Sequence, residues 1–286
     1  MGGTRAMNDT PIINASEHAW TLHDPRFAID PEVSACPNST PDCEQTGETL
    51  IARMLEYGVD RTVISHVCYY GRNNDYPIHC VQQWPDRFAA IGLLVGHRLH
   101  PAQDGEANAE RLRQLVTIGG LAGLRLSPIY DRTTRWLDDP ACDPLWEAAA
   151  DLGATFNLFL GPEHLEQLGA MAERHPGVNV VIDHFAMIDI SRPDAEGIDL
   201  ITDLARWPNV YMRTSLHNPS KESRPPFGDM WPYLRRAYDA FGPRRLLWGN
   251  YYEYLIMAEM IDFFTTEDRR WILGGTAEKL YFGQRR

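Results

Sequence analysis

The chain has 286 residues, 44% of them hydrophobic, which suffices for one sizeable core and excludes a mainly disordered protein. A formal net charge of −12 disfavours nucleic acid and anionic membranes as partners. Because no run approaches the roughly 18 apolar residues that span a bilayer, and no signal peptide is visible, we expect a globular protein of the cytoplasm.

Eight short runs of aliphatic or β-branched residues are spaced along the chain. They cover residues 11–16, 61–67, 88–94, 121–127, 154–160, 178–185, 209–215 and 244–250. Between them, apolar residues recur at i, i+3, i+4 and i+7, and several stretches end in Gly or Pro, as amphipathic helices do. This alternation predicts an α/β fold, a single-domain (β/α)₈ TIM barrel. An open doubly wound sheet is the alternative, but it commonly carries a G-x-G-x-x-G turn that is absent here.

The remaining segments complete the predicted domain. We assign residues 1–9 to an N-terminal tail or an artificial extension, since Met7 could itself be the start, and residues 10–286 to the barrel. Two long loops, residues 21–46 and 217–230, are predicted lids. Five scattered cysteines suggest reduced thiols in the cytoplasm. The oligomeric state stays open, and a homo-oligomer is compatible with the sequence.

The strand ends are the place to look for a site, because TIM barrels carry their active sites at the C-terminal ends of the strands. A single histidine there is more often structural, but several histidines and arginines at one mouth indicate a site. The polar residues at these ends are Ser16, Glu17, His18, Ser65, His66, Arg125, Ser127, Asn157, Asp183, His184, Arg213, Ser215, His217, Asn250, Tyr251 and Glu253.

Four segments in this order resemble a known family. VVIDHF, NVYMRTS, LLWGNYY and WILGGTAEKLYF are similar to the amidohydrolase-related (amidohydrolase 2) branch of the amidohydrolase superfamily, over about residues 12–282. The resemblance implies a TIM-barrel enzyme. It leaves the substrate open, because the family includes hydrolases, lactonases such as 2-pyrone-4,6-dicarboxylate lactonase, and decarboxylases of aromatic or unsaturated acids.

The sequence departs from that family at the metal ligands. The family's H-x-H pair on strand 1 is reduced to His18, with Ser16 in the other position. Asn157 stands for the histidine of strand 5, His184 matches the histidine of strand 6, and Tyr251 replaces the aspartate of strand 8. Because a catalytic zinc usually needs about three protein ligands, we predict no metal and no cofactor.

A metal-free site needs other groups to move protons. We predict His18 and His184 as general acid–base residues, because imidazole titrates near neutral pH. Tyr251 would donate a hydrogen bond to an oxyanion or act as an acid. Ser16 would be a nucleophile only beside an imidazole, and otherwise positions the ligand. Strand alternation points Asp183 away from the site and gives it a structural role.

The arginines suggest the ligand. Arg125 and Arg213 lie in apolar strands, where a guanidinium needs an anionic partner, either a carboxylate of the protein or one of the substrate. Resemblance to the dicarboxylate lactonase implies that the anionic partner is a carboxylate of the substrate. Arg72, in the loop after run 2, is a third candidate. The other predicted substrate contacts are His66, His217, Asn250 and Tyr252.

The leading hypothesis is therefore a metal-independent hydrolase of the lactonase or esterase type, acting on a small carboxylated cyclic or aromatic metabolite. Non-oxidative decarboxylation or C–C cleavage of an aromatic acid is the first alternative. The second alternative is a catalytically degenerate subunit that binds a small molecule or a partner protein, since several of the family's metal-binding residues are replaced together.

Overall fold

A computed structural model describes residues 10–29, 41–94, 101–130, 135–192 and 197–283. Eight parallel strands lie in sequence order and form one sheet. The strands β1 to β8 are Ile13–Glu17, Arg61–Ser65, Phe88–Gly92, Gly123–Leu126, Thr155–Leu158, Asn179–Ile182, Val210–Arg213 and Leu246–Leu247. A hydrogen bond of 3.2 Å from the Ala15 N–H to the Trp248 carbonyl links the two edges of the sheet. The predicted (β/α)₈ barrel is confirmed.

Helices alternate with the strands and surround the sheet. The helices α1 to α8 are Gly47–Tyr57, Asp75–Gln83, Gly105–Thr117, Asp143–Leu152, Leu165–Arg174, Ile198–Asp203, Trp231–Phe241 and Thr266–Arg270. Local signals explain their ends. The Thr46 hydroxyl accepts the Thr49 N–H and begins α1, and Gly58 ends it in the left-handed conformation at φ 67°. Gly153 ends α4 in the same way at φ 65°.

Alternation along the strands separates two layers of core. Side chains such as Ile64 and Ile182 face the helices, whereas Val63, Val181 and Leu247 face the barrel axis. Parallel strands of such a barrel are buried on both faces, which is why the runs read as continuously apolar. The same alternation decides which residues at the strand ends point into the mouth.

The floor of the barrel is closed by residues 276–282, which we call the C-terminal plug. Leu280 and Tyr281 of the plug pack with the axial side chains. The plug is tied to the first residues of two strands. Arg61 pairs with Glu278 at 2.6 Å, and the Thr155 hydroxyl donates to the Leu280 carbonyl at 3.1 Å. Any site inside the barrel therefore opens at the other end.

Several smaller predictions can be compared with the structure. Run 8 is shorter than predicted, because its pairing with β7 is limited to Leu246 and Leu247. Cys68 is disulfide-bonded, so the prediction of reduced thiols is wrong at this residue, while Cys43, Cys80 and Cys142 are free. The tail 1–9 and residues 30–40 of the first predicted lid lie outside the described residues. In the described ranges no helix has the length and apolar character needed to cross a membrane.

Candidate active site

Two arginines and one aspartate occupy the centre of the barrel mouth. Asp183 lies 2.9 Å from Nη2 of Arg213 and 3.4 Å from Nε of Arg125, and we call this group the Arg–Asp–Arg triad. The Asp183 and Arg213 side chains are almost fully inaccessible, and the Arg125 side chain is 10% exposed. The prediction that Asp183 points away from the site is wrong. It follows Val181 by two residues and shares the axial face.

The triad carries one more cationic group than anionic group. Nε and Nη1 of Arg213 and Nε of Arg125 are buried without a hydrogen-bond partner among the described residues. The Arg125 guanidinium also lies 4.4 Å from the centre of the Phe159 ring. Burial lowers the pKa of Arg125, which shows that its surroundings disfavour the charge. The internal ion pair that the sequence left as an alternative therefore exists, but it is incomplete.

His184 is turned into this mouth by an unusual stretch of backbone. His184, Phe185, Ala186 and Met187 all have φ between 50° and 52°. Left-handed backbone costs about 1–2 kcal/mol for each such non-glycine residue, so the surrounding packing must stabilise this turn. Simple alternation after Asp183 would point the next side chain towards the helices. The turn instead brings Nε2 of His184 to 3.2 Å from Nη2 of Arg213.

The contact with Arg213 determines the protonation of His184. A guanidinium only donates hydrogen bonds, so Nε2 must be the acceptor and Nδ1 must carry the proton. Nδ1 is buried and has no partner in the described part of the chain. Burial, reinforced by the neighbouring Arg213 and Arg125, holds the pKa of His184 well below its usual value. His184 is therefore a neutral ring whose Nδ1–H has no partner among the described residues.

Two more imidazoles adjoin the cluster, of which His66 is buried and His18 is partly buried. Nδ1 of His18 lies 2.7 Å from the Ser65 carbonyl, so it carries the proton and leaves a lone pair on Nε2. Burial and Arg125 lower the pKa of His18 to about 4. Nε2 of His66 lies 2.7 Å from the Asn73 carbonyl, and burial lowers the pKa of His66 to about 4 as well. Both rings are neutral at pH 7.

A fourth imidazole is paired with a carboxylate. Oε1 of Glu253 accepts from Nδ1 of His217 at 2.6 Å and from the His217 backbone N–H at 2.9 Å. The Asn250 amide lies 3.3 Å from the same Nδ1, and the Tyr252 ring centre is 5.1 Å from the His217 ring centre. The predicted contacts His217, Asn250 and Tyr252 thus come together, and the structure adds Glu253. Its role could not be read from the sequence, where it lies 36 residues from His217.

The structure does not bring Tyr251 to the mouth. Its hydroxyl is 2.9 Å from Oγ1 of Thr62, and its ring centre is 5.5 Å from that of Tyr57 in α1. Thr62 precedes the axial residue Val63 and faces the helices, so Tyr251 packs outside the barrel. The backbone explains this placement, because Asn250 has φ 75° and redirects the chain after β8.

Arg72 and Ser16 also differ from their predicted roles. Arg72 is exposed in a groove between α2 and α3, which it shares with Gln82 and Arg111, and it is not part of the charged cluster. Ser16 lies beside Gly249, where an added Cβ would be 3.3 Å from the Ser16 Cβ. Within the described ranges no imidazole hydrogen-bonds to Ser16, so the condition set for a nucleophile is not met.

Comparison with known proteins places this barrel in a family. A family model described as amidohydrolase matches residues 23–283. The chain belongs to the amidohydrolase family. It is 34% identical to an L-fucono-1,5-lactonase of Burkholderia ambifaria over 204 residues, covering 71% of this chain and 67% of that protein. It is 24% identical to a 4-sulfomuconolactone hydrolase of Hydrogenophaga intermedia, covering 71% of this chain but 63% of that protein, less than two thirds.

Solved structures support the fold. A structure from Acinetobacter baumannii, described as a probable 2-pyrone-4,6-dicarboxylic acid hydrolase with citric acid bound, superimposes with a TM-score of 0.75. The sequences are 19% identical, and the match covers 96% of this amidohydrolase and 99% of that chain. The family and its lactonase relatives support an enzyme, as the resemblance implied.

The residues at the family's metal positions do not suit a divalent cation in this amidohydrolase. Nε2 of His184 accepts from Arg213, Tyr251 lies outside the barrel, and Oδ1 of Asn157 accepts from the Tyr281 hydroxyl at 2.9 Å. Among the family's ligand positions, His18 alone keeps an imidazole lone pair, on Nε2, and the charges of Arg125 and Arg213 disfavour a further cation near this ring. The part of the chain that the structure describes contains no group of three or more histidine, cysteine, aspartate or glutamate residues arranged to hold a metal.

Proposed function

We propose that this amidohydrolase is a metal-independent lactonase whose substrate is a small cyclic ester with a carboxylate or similar anionic group. The observation that carries the proposal is the Arg–Asp–Arg triad, in which two buried guanidinium groups share one carboxylate. An unpaired buried charge costs several kcal/mol, and an anionic ligand would offset that cost. Bidentate binding of carboxylates is also the chemistry to which a guanidinium is best suited.

The relatives support the same class of reaction. The names of the two curated relatives describe a lactonase and a lactone hydrolase, and a pyrone, named for the Acinetobacter structure, is also a cyclic ester. Two of the three names include an acidic substituent, a sulfonate or a dicarboxylic acid. The sugar lactone of the third is neutral. The excess charge of the triad favours the acidic group here.

The site has the groups that hydrolysis of a lactone requires. Water attacks the ester carbonyl, the carbonyl oxygen becomes an oxyanion, and the bond to the ring oxygen breaks to give a hydroxy acid. We assign His184 to donate its Nδ1–H to the oxyanion, beside the cationic Arg213. His18 contacts the substrate through the lone pair of Nε2. Both rings act in the neutral form.

A panel of lactones tests this function. Proton release would be followed in buffer with a chelator for 2-pyrone-4,6-dicarboxylate, a muconolactone and L-fucono-1,5-lactone. We expect hydrolysis of the anionic lactones, unchanged by the chelator. Turnover that requires added zinc or manganese would reject metal independence. Hydrolysis of the neutral lactone alone would reject the anionic substrate.

Two arginine variants give a matched comparison. Arg125→Gln removes a charge from the triad, and we expect it to lower kcat/KM for an anionic lactone by about 100-fold, as loss of a buried charge-assisted contact does. Arg72→Gln removes the same charge outside the cluster and should leave kcat/KM unchanged. Equal effects of the two variants would contradict the assignment of Arg125 to substrate binding.

Two other results would favour the alternative functions. Release of carbon dioxide from an aromatic acid would indicate a decarboxylase. Ligand binding without turnover would indicate a catalytically degenerate subunit.

A further inference from the structure

We propose that His217, oriented by Glu253, is the general base that activates the attacking water. This inference rests on the proposed lactone hydrolysis and assigns a step within it. Nδ1 of His217 lies 2.6 Å from Oε1 of Glu253. Because a carboxylate only accepts, Nδ1 carries the proton and the lone pair is on Nε2. The ring is 25% exposed, so water can reach it.

Glu253 is built into the fold in a way that suits this role. Its side chain is fully buried, and Oε1 also accepts the His217 backbone N–H at 2.9 Å. Two donors from one residue therefore hold a single carboxylate oxygen. The other oxygen, Oε2, is buried and has no hydrogen-bond partner in the described ranges. A buried carboxylate placed in this way fixes both the tautomer and the orientation of the imidazole, which makes Glu253 a positioning residue.

The four imidazoles of the mouth differ in the charge beside them. His18 and His184 adjoin guanidinium groups, which disfavour a protonated ring. His66 is buried and donates to a backbone carbonyl. His217 instead donates its Nδ1–H to the anionic side chain of Glu253. Where environments differ in this way, the group beside the opposite charge is the one suited to accept the proton.

The position of His217 fits the step. Its ring centre is 6.2 Å from that of His184, which contacts Arg213 at 3.2 Å. The base and the proposed oxyanion donor thus lie side by side at the mouth. The titratable groups in contact with the His217 ring are Glu253, His184 and Tyr252, of which Tyr252 is 47% exposed at the rim. Burial raises the pKa of Tyr252, which keeps this phenol neutral.

The proton that moves during hydrolysis is taken up and returned by the His217–Glu253 pair, which we call the dyad. Nε2 of His217 takes a proton from water as the water oxygen forms a bond to the carbonyl carbon. The oxyanion then collapses, the bond from the carbonyl carbon to the ring oxygen breaks, and the imidazolium returns the proton to that oxygen. Glu253 stays ionised throughout and stabilises the imidazolium.

The decisive experiment compares His217→Asn and Glu253→Gln with the wild-type protein on an anionic lactone. His217→Asn should lower kcat by about 100-fold to 10,000-fold, the range for loss of a general base, with KM within about threefold. His23→Gln, an exposed histidine outside the mouth, is the matched control and should retain full activity. Free imidazole should partly restore turnover in His217→Ala, which a merely structural histidine would not allow.

The pH profile separates positioning from packing. Glu253→Gln keeps a hydrogen-bond acceptor but removes the charge, so the acid limb of kcat/KM should move to lower pH, and Glu253→Asp should restore the wild-type profile in part. A Glu253→Gln profile that coincides with the wild-type profile, or a kcat of His217→Asn within threefold of wild type, overturns the dyad alone. If the wild-type protein hydrolyses no lactone, the proposed function is rejected instead.

Discussion

The floor and the mouth of the barrel are built from opposite kinds of residue. At the floor, the axial side chains Val63 and Leu247 pack against Leu280 of the C-terminal plug, and all three are inaccessible to solvent. At the mouth, the Arg–Asp–Arg triad and His66 are almost as deeply buried, yet several of their polar atoms have no hydrogen-bond partner among the described residues. The floor is held mainly by apolar contacts, whereas the mouth leaves several charged and polar atoms without a partner among the described residues, as expected where a ligand completes them.

Breaking the triad should have the largest effect. Asp183→Asn leaves two buried guanidinium groups without a counter-charge, and removing one partner of a buried ion pair costs about 3–5 kcal/mol of unfolding free energy. Lactonase activity should be lost as well. Asp189→Asn, in an exposed pair with Lys221, should cost less than about 1 kcal/mol. Urea unfolding measures the free energy of unfolding of both variants. Similar losses in the two variants would show that Asp183 does not stabilise the fold by neutralising the buried arginines.

A cavity at the floor should separate stability from activity. Leu280→Ala should lower the unfolding free energy by about 2–5 kcal/mol, as buried leucine truncations do. Its kcat should stay close to wild type, because Leu280 lies in the floor, at the end of the barrel opposite the mouth. Leu55, which is 71% exposed, supplies the control variant Leu55→Ala. A large fall in kcat at unchanged fold would mean that floor and mouth are coupled.

Buried neutral histidines at the mouth predict a pH-dependent stability. The folded pKa of His66 is about 4, below the ordinary 6.5, so the unfolded state binds more protons between these values. Stability is therefore full above pH 6.5 and is lost as pH falls towards 4. From pH 7 to pH 5, His66→Gln should lose about 2 kcal/mol less unfolding free energy than the wild-type protein. Parallel curves would contradict a neutral His66.

The smallest effect concerns the link between the two ends. The Tyr281 hydroxyl of the plug donates to Oδ1 of Asn157 at 2.9 Å, which fixes the amide orientation inside the barrel. Tyr281→Phe should cost about 1 kcal/mol, the net value of one buried hydrogen bond. Thermal unfolding would measure the loss. An increase in KM for the anionic lactone would sharpen the comparison by showing that Asn157 reaches the ligand.

Periodicity predicted the architecture because each strand and each helix carries its own pattern of burial. The eight runs, the helices between them and the position of the mouth all follow from local spacing. The same rule failed where the backbone departs from regular geometry. His184 and Asn250 have positive φ, and each redirects the following chain, so alternation misplaced Tyr251. Asp183 was misplaced for the same reason, because alternation set it opposite to His184, which reaches the mouth only through the left-handed turn.

The sequence alone determined the fold, the family resemblance and the list of polar residues at the strand ends, because these depend on spacing within short segments. The tertiary structure decided which of those residues meet. The charge imbalance of the triad, the tautomers of the imidazoles and the pairing of His217 with Glu253 all arise between strands that are distant in sequence. Hydrogen-bond geometry acts over about 3 Å, a distance that residue spacing along a chain does not specify.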